Sequence, residues 1–150
     1  MISWSSSFAS SAPATSANVT FGVSPLSSRA FDFPNWNAFD PPALLHRDLA
    51  QMGLGHRLDV AVFSSETGKR KPHPAIFEET LGRLEVDPAR ALFVGDRRYE
   101  DVRGAKEVGM ATVQALWFRA DDDERGLDPD FEAFTPMDVL NVVRRLSGEL

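Results

Sequence analysis

Ala91-Leu92-Phe93-Val94 is a run without a single polar side chain. A strand of that kind is apolar on both faces, so it needs cover above and below, and helices packed on the two faces of a parallel sheet supply it. The chain from residue 40 onward agrees with that demand. Asp40 reads as an N-cap, with Pro41 and Pro42 in the first turn of a helix running to about residue 52 and Leu44, Leu45, Leu49 and Met52 as its apolar stripe. Gly53 and Gly55 stop it, and Leu58-Asp59-Val60-Ala61-Val62-Phe63 has the composition of a strand, with Ser64 and Ser65 at its carboxyl end. Pro74 opens a second helix that carries Phe77, Leu81 and Leu84 on one face. A third helix spans 99–108 with Val102, Ala105 and Val108 inward and Gly109 at its end. A strand over 111–117 and a last helix near 137–146 complete the series. This alternation predicts βα units: an α/β chain with a partial doubly wound, Rossmann-like parallel sheet in a three-layer α/β/α arrangement. Ligand chemistry in such sheets lies at the carboxyl ends of the strands.

Composition divides the chain near position 36. The first 36 residues contain one basic residue, Arg29, and one acidic residue, Asp32, amid abundant Ser, Ala and Pro. Such sequence buries too little apolar surface to offset its ordering entropy, so residues 1–36 are expected to be an atypical segment, disordered to about residue 17, ahead of a core at 37–150. Asn18-Val19-Thr20-Phe21-Gly22-Val23 alternates as a strand does and is a candidate to pair with a sheet edge. At 150 residues, one domain with one core is expected. A net charge of -6 leaves no broad cationic surface for nucleic acid or anionic lipid, and no run approaches the ~20 apolar residues of a membrane span. Neither nucleic acid nor membrane is an expected partner. The absence of cysteine removes disulfides, thiolate nucleophiles and cysteine metal sites, and the opening stretch Met1-Ile2-Ser3-Trp4 lacks a basic leader region, so a cytoplasmic location is expected.

Gly95-Asp96 follows the apolar run directly, and a glycine there allows a close approach that a side chain would crowd. Asp101 falls in the first turn of the next helix, where the dipole favours negative charge. Two carboxylates so placed can hold Mg²⁺ directly or through water. Lys71, held extended by Pro72 and flanked by Lys69 and Arg70, can fix a carboxylate and neutralise phosphoryl charge. Taken alone, acidic residues at helix starts and Lys-Arg-Lys runs are ordinary surface features. His46, His56 and His73 lack partners at metal-ligand spacing, Trp117 and Phe118 read as packing, and Asp121-Asp122-Asp123-Glu124 reads as a solvated loop.

Together, Phe63-Ser64-Ser65-Glu66-Thr67-Gly68-Lys69-Arg70-Lys71-Pro72, Ala91-Leu92-Phe93-Val94-Gly95-Asp96 and Asp101-Val102-Arg103-Gly104-Ala105 closely resemble the C-terminal half of the haloacid dehalogenase superfamily core, over about residues 37–117. The resemblance implies a magnesium-dependent phosphatase type of hydrolase acting on a small phosphorylated substrate, with Lys71 as the catalytic lysine and Asp96 and Asp101 as the magnesium-associated acids. Asn37 matches a phosphate-positioning Asn of the family, while Trp36 stands where that family has Ser or Thr. The family's nucleophile motif, Asp-x-Asp after an apolar strand, is absent upstream of Lys71, and Asp32-Phe33-Pro34 is a poor substitute because Pro34 replaces the second Asp.

The expected reading is therefore a hydrolase core without its usual first strand, nucleophile or cap, truncated and inactive as this chain. The rival is a non-catalytic α/β interaction module. In it the strand 91–94, bare on one edge, pairs with a partner or a second copy.

Overall fold

The computed structural model of the chain describes residues 21–23, 35–36, 38, 40–117 and 125–148. The stretch 1–17, Asn37, Phe118 and the acidic loop 121–124 lie outside the described residues. In order, the elements are β1 (Phe21–Val23), β2 (Asn35–Trp36), α1 (Pro42–Gln51), β3 (Val62–Phe63), α2 (Ser64–Thr67), α3 (Ala75–Leu84), β4 (Leu92–Gly95), α4 (Gly104–Glu107), β5 (Ala111–Ala115), β6 (Phe131–Ala133) and α5 (Pro136–Ser147). Strands β4, β5 and β6 are parallel neighbours, and β1 pairs antiparallel with the other edge of β4, Phe21 opposite Val94 and Val23 opposite Leu92. A separate parallel pair joins β2 to β3. Among the described residues no helix is long and apolar enough to cross a membrane.

β4 is buried throughout, and its period-two alternation divides the core. Phe93, next to Ala91, joins Val62, Ile76, Phe77, Leu81, Ala105 and Met110 on one face. Leu92 and Val94 turn to the opposite face, where Val113, Ala115 and Ala133 meet Val139, Val142 and Val143 of α5. The apolar run thus obtains the double cover that its composition demands. α5 begins at a capping box: Thr135 Oγ1 accepts from the Asp138 N–H, and Asp138 Oδ2 accepts from the Thr135 N–H at 2.8 Å.

Several sequence expectations are corrected. The N-cap of α1 is Pro41 without a side-chain cap bond, not Asp40, because Pro41 and Pro42 remove N–H donors that a cap at position 40 would serve. Of the expected stripe on α1 only Leu49 is buried, with Leu44 41% and Met52 54% exposed, since this helix folds back on the turn Gly55–Arg57 rather than onto a broad sheet face. The strand expected from 58 to 63 contracts to β3, because among the described residues only Val62 and Phe63 find partners, in β2. The helix expected over 99–108 is a π-type turn, Arg98–Arg103, followed by α4, and the strand expected over 111–117 ends at Ala115. β6 was not legible at all: its three residues are too few for a periodic signal.

Asp130 ties the start of β6 to β5. Its Oδ2 accepts from the Thr112 N–H and Oγ1, both at 2.8 Å, and its Oδ1 accepts from Lys106 Nζ at 2.7 Å. Burial opposes the Asp130 charge, but the hydrogen bonds from Lys106 and Thr112, together with the Lys106 charge, outweigh it and hold the carboxyl below its ordinary value. A depressed folded value means that this contribution is present above the unfolded pKa of about 3.9 and disappears as pH falls through the folded one. Chemical denaturation of Asp130→Asn should accordingly show a loss of about 1 kcal/mol at neutral pH that shrinks below about pH 4, whereas a pH-independent loss would remove the charge from the explanation. In the core, Phe93→Ala should cost about 3–5 kcal/mol and Leu44→Ala less than about 1 kcal/mol by the same measurement.

Candidate functional site

The carboxyl end of β4 is Gly95, and Asp96 follows it out of the sheet. The chain then makes a π-type turn in which the Asp101 and Val102 N–H groups both donate to the Arg97 carbonyl, at 2.9 and 3.1 Å. The turn swings Asp101 back over the strand end. A Cβ at Gly95 would lie 2.4 Å from Asp101 Cβ and 2.7 Å from its Oδ2, so only glycine admits this approach. Asp101 is wholly buried, and its Oδ2 accepts from the Arg97 main-chain N–H at 3.1 Å.

Lys71 arrives from the loop after α2, with a cis peptide bond to Pro72. Its Nζ donates to Asp101 Oδ1 at 2.5 Å, and both side chains are essentially sealed from solvent, 2% and 0% exposed. The ammonium also lies 5.5 Å from the centroid of the Phe93 ring. A second glycine holds this loop against the turn. A Cβ at Gly104 would lie 2.5 Å from Phe77 Cε2 and 3.0 Å from the Pro72 carbonyl oxygen.

Asp96 is the less buried acid. Desolvation raises its pKa first, and Asp101 raises it further, through its charge and a side-chain hydrogen bond that favours the protonated form; Arg97 and a main-chain bond oppose them. Lys71, Asp96 and Asp101, all expected from sequence, therefore converge around Asp101. Asn37 lies outside the described residues, but its neighbour Ala38 is anchored to Ser64, whose Oγ accepts from the Ala38 N–H at 2.9 Å and donates to its carbonyl at 3.0 Å. Three participants were not singled out from sequence. Arg97 and Glu100 form an ion pair at 2.5 Å, and the buried Gln114 donates through Nε2 to the Asp96 carbonyl at 3.4 Å. A polar amide inside the run Ala111-Thr112-Val113-Gln114-Ala115 was the available signal for Gln114, since a buried amide requires a partner.

Among the described residues no cluster of three or more His, Asp or Glu side chains forms a metal cage. The donor set that is present suits Mg²⁺, which takes one or two carboxylates and fills its octahedron with water and phosphate oxygens. With both Asp101 oxygens engaged, one by Lys71 and one by the Arg97 N–H, Asp96 would be the better placed of the two to bind a cation directly. Burial and, after it, repulsion from Asp101 raise the Asp96 pKa, and a divalent cation at the carboxylate would offset both.

Residues 38–109 match the family model described as haloacid dehalogenase-like hydrolase. A glyceraldehyde 3-phosphate phosphatase from Methanopyrus kandleri is 42% identical over 104 residues, covering 67% of this chain and 45% of that protein. A phosphoserine phosphatase from Thermus thermophilus is 36% identical over 95 residues, covering 63% of this chain and 35% of that protein. The crystal structure of a HAD phosphatase from Thermococcus onnurineus superposes with a TM-score of 0.59 at 32% identity, covering 68% of this chain and 46% of that one. The chain thus spans less than half the length of these relatives.

Because the folded state raises the Asp96 pKa, the charged form carries an energetic penalty at neutral pH that is absent below the unfolded value of about 3.9, where folded and unfolded acids are both protonated. In chelator-treated protein at pH 7, Asp96→Asn should raise the melting temperature, while Gly95→Ala, which drives a methyl into Asp101, should lower stability by about 2 kcal/mol or more. A lower melting temperature for Asp96→Asn would mean that Asp96 is not under the repulsion described.

Proposed function

We propose, on the premise that this chain belongs to the haloacid dehalogenase-like hydrolase family, that Lys71, Asp96 and Asp101 form the charged half of a magnesium-assisted phosphomonoester hydrolase site for small phosphorylated molecules. The observation that carries this reading is the buried Lys71–Asp101 pair at 2.5 Å, beside a second carboxylate at the carboxyl end of β4. Asp96 would bind Mg²⁺ directly, and Asp101 would do so through water. When bound, the ion neutralises charge on the phosphoryl oxygens.

The chain's own residues have separable tasks. Asp101 orients the ammonium of Lys71 away from bulk solvent, where a fixed positive charge acts on phosphoryl oxygens more strongly than it would in open water. Gln114 supports the main chain of Asp96. The buried ion pair is also a stability element, because removing either partner leaves an uncompensated charge in the interior. No Asp-x-Asp follows an apolar strand upstream of Lys71, so the covalent step has no attacking carboxylate within these 150 residues. The chain by itself binds metal and phosphate and does not turn over phosphomonoesters. The named substrates of the relatives, glyceraldehyde 3-phosphate and phosphoserine, indicate the size and charge of ligand to use.

Calorimetric titration with Mg²⁺ is the direct test. Wild type should bind, Asp96→Asn should lose most of the affinity, and Asp101→Asn should lose less of it while destabilising the fold by about 3–5 kcal/mol. Equal affinities in wild type and Asp96→Asn would reject the metal assignment. Turnover of phosphomonoesters by the purified chain would reject the inference about the missing nucleophile.

A further inference from the structure

Arg97 follows Asp96 directly, and its main-chain N–H, not its side chain, anchors Asp101. Among the described residues its guanidinium has one hydrogen-bond partner, Glu100, through Nη1 alone. The two side chains stand at the rim, 28% and 24% exposed. Arg97 Nε is buried and, among the described residues, donates to nothing. A native interior keeps few such unsatisfied donors. Glu100 uses only Nη1, and the Nε–Nη2 edge could hold an oxyanion through two parallel N–H bonds, but with Nε buried in the resting position that edge meets a ligand only when the side chain swings off Glu100. Burial pulls the guanidinium down, but the bond to Glu100 and the charges of Glu100, Asp96 and Asp101 outweigh it and keep the group cationic.

We propose that Arg97 is a parked oxyanion arm: in the free protein it rests on Glu100, and when a phosphorylated ligand binds beside Asp96 it leaves Glu100 and takes phosphate oxygens on its Nε–Nη2 edge. The arm deepens the preceding reading and relies on it for where the phosphate sits. Glu100 is then a competitor for the arm, and this separates the proposal from a structural role. A structural ion pair loses by the removal of either partner. A parked arm gives opposite responses: without the guanidinium phosphate binds more weakly, and without the Glu100 charge it binds more tightly.

The test is calorimetric titration of orthophosphate into the full chain, with and without Mg²⁺, for wild type, Arg97→Ala, Arg97→Lys, Glu100→Gln and the double variant Arg97→Ala with Glu100→Gln. The main-chain N–H that holds Asp101 survives each substitution, and thermal melts check that each variant is folded. Arg97→Ala should weaken phosphate binding about tenfold, Arg97→Lys should recover only part of this, and Glu100→Gln should tighten binding about threefold. The Glu100→Gln gain should vanish in the double variant. Weakening by both single substitutions makes the pair structural, and a gain that survives in the double variant makes Glu100 a plain repulsive charge; either result overturns the arm. Intact Mg²⁺ binding with phosphate affinity indifferent to Arg97 sinks the arm and leaves the metal site standing. Arg97-dependent phosphate binding in a wild type that binds no Mg²⁺ does the reverse, and a wild type that binds neither overturns both.

Discussion

A lysine ammonium and a carboxylate, both withdrawn from solvent and 2.5 Å apart, organise this molecule. Desolvating either ion alone costs several kcal/mol, so each is tolerable in the interior only while the other is in place. The demand falls on the backbone. Asp101 reaches its position because Gly95 has no side chain and because a π-type turn adds the residue needed to swing it back over the end of β4. Lys71 reaches its position because Gly104 lets the Pro72 carbonyl and the Phe77 ring come within contact of α4. Two glycines and one irregular turn are therefore requirements of a single ion pair.

Around that pair the charges do not balance locally. Asp101 is matched by Lys71, while the Asp96 pKa is raised first by burial and then by the Asp101 carboxylate. Stability optimised alone would place a neutral residue there, and binding sites commonly retain such local conflicts. Arg97 and Glu100 lie at the same rim as a second, more exposed pair.

Much of the fold was legible because its signals are local. An all-apolar run, a helix with Phe77 and Leu81 one turn apart, and glycines at helix ends are read from neighbours in sequence, and β4, α3 and both faces of the core follow them. Expectations failed where a local pattern met no tertiary partner. Leu44 and Met52 have the spacing of a buried stripe, but a stripe is buried only when another element covers it. Residues 58–61 have the composition of a strand and, among the described residues, no neighbouring strand. β6 is the converse, too short to recognise and formed because β5 offers it an edge and Asp130 pins it there.

By itself, the sequence determined the layer order, the acidic surface and the chemical identities at the strand end: one lysine before a proline and two aspartates after a glycine. It also determined that no aspartate pair stands after an apolar strand upstream of Lys71. Tertiary structure alone decided that Lys71 closes on Asp101 and that, among the described residues, Arg97 Nε has no acceptor. The reason is range. Periodicity and capping act over one or two turns of chain, whereas Lys71 and Asp101 are 30 residues apart, and only packing decides which of two carboxylates an ammonium meets.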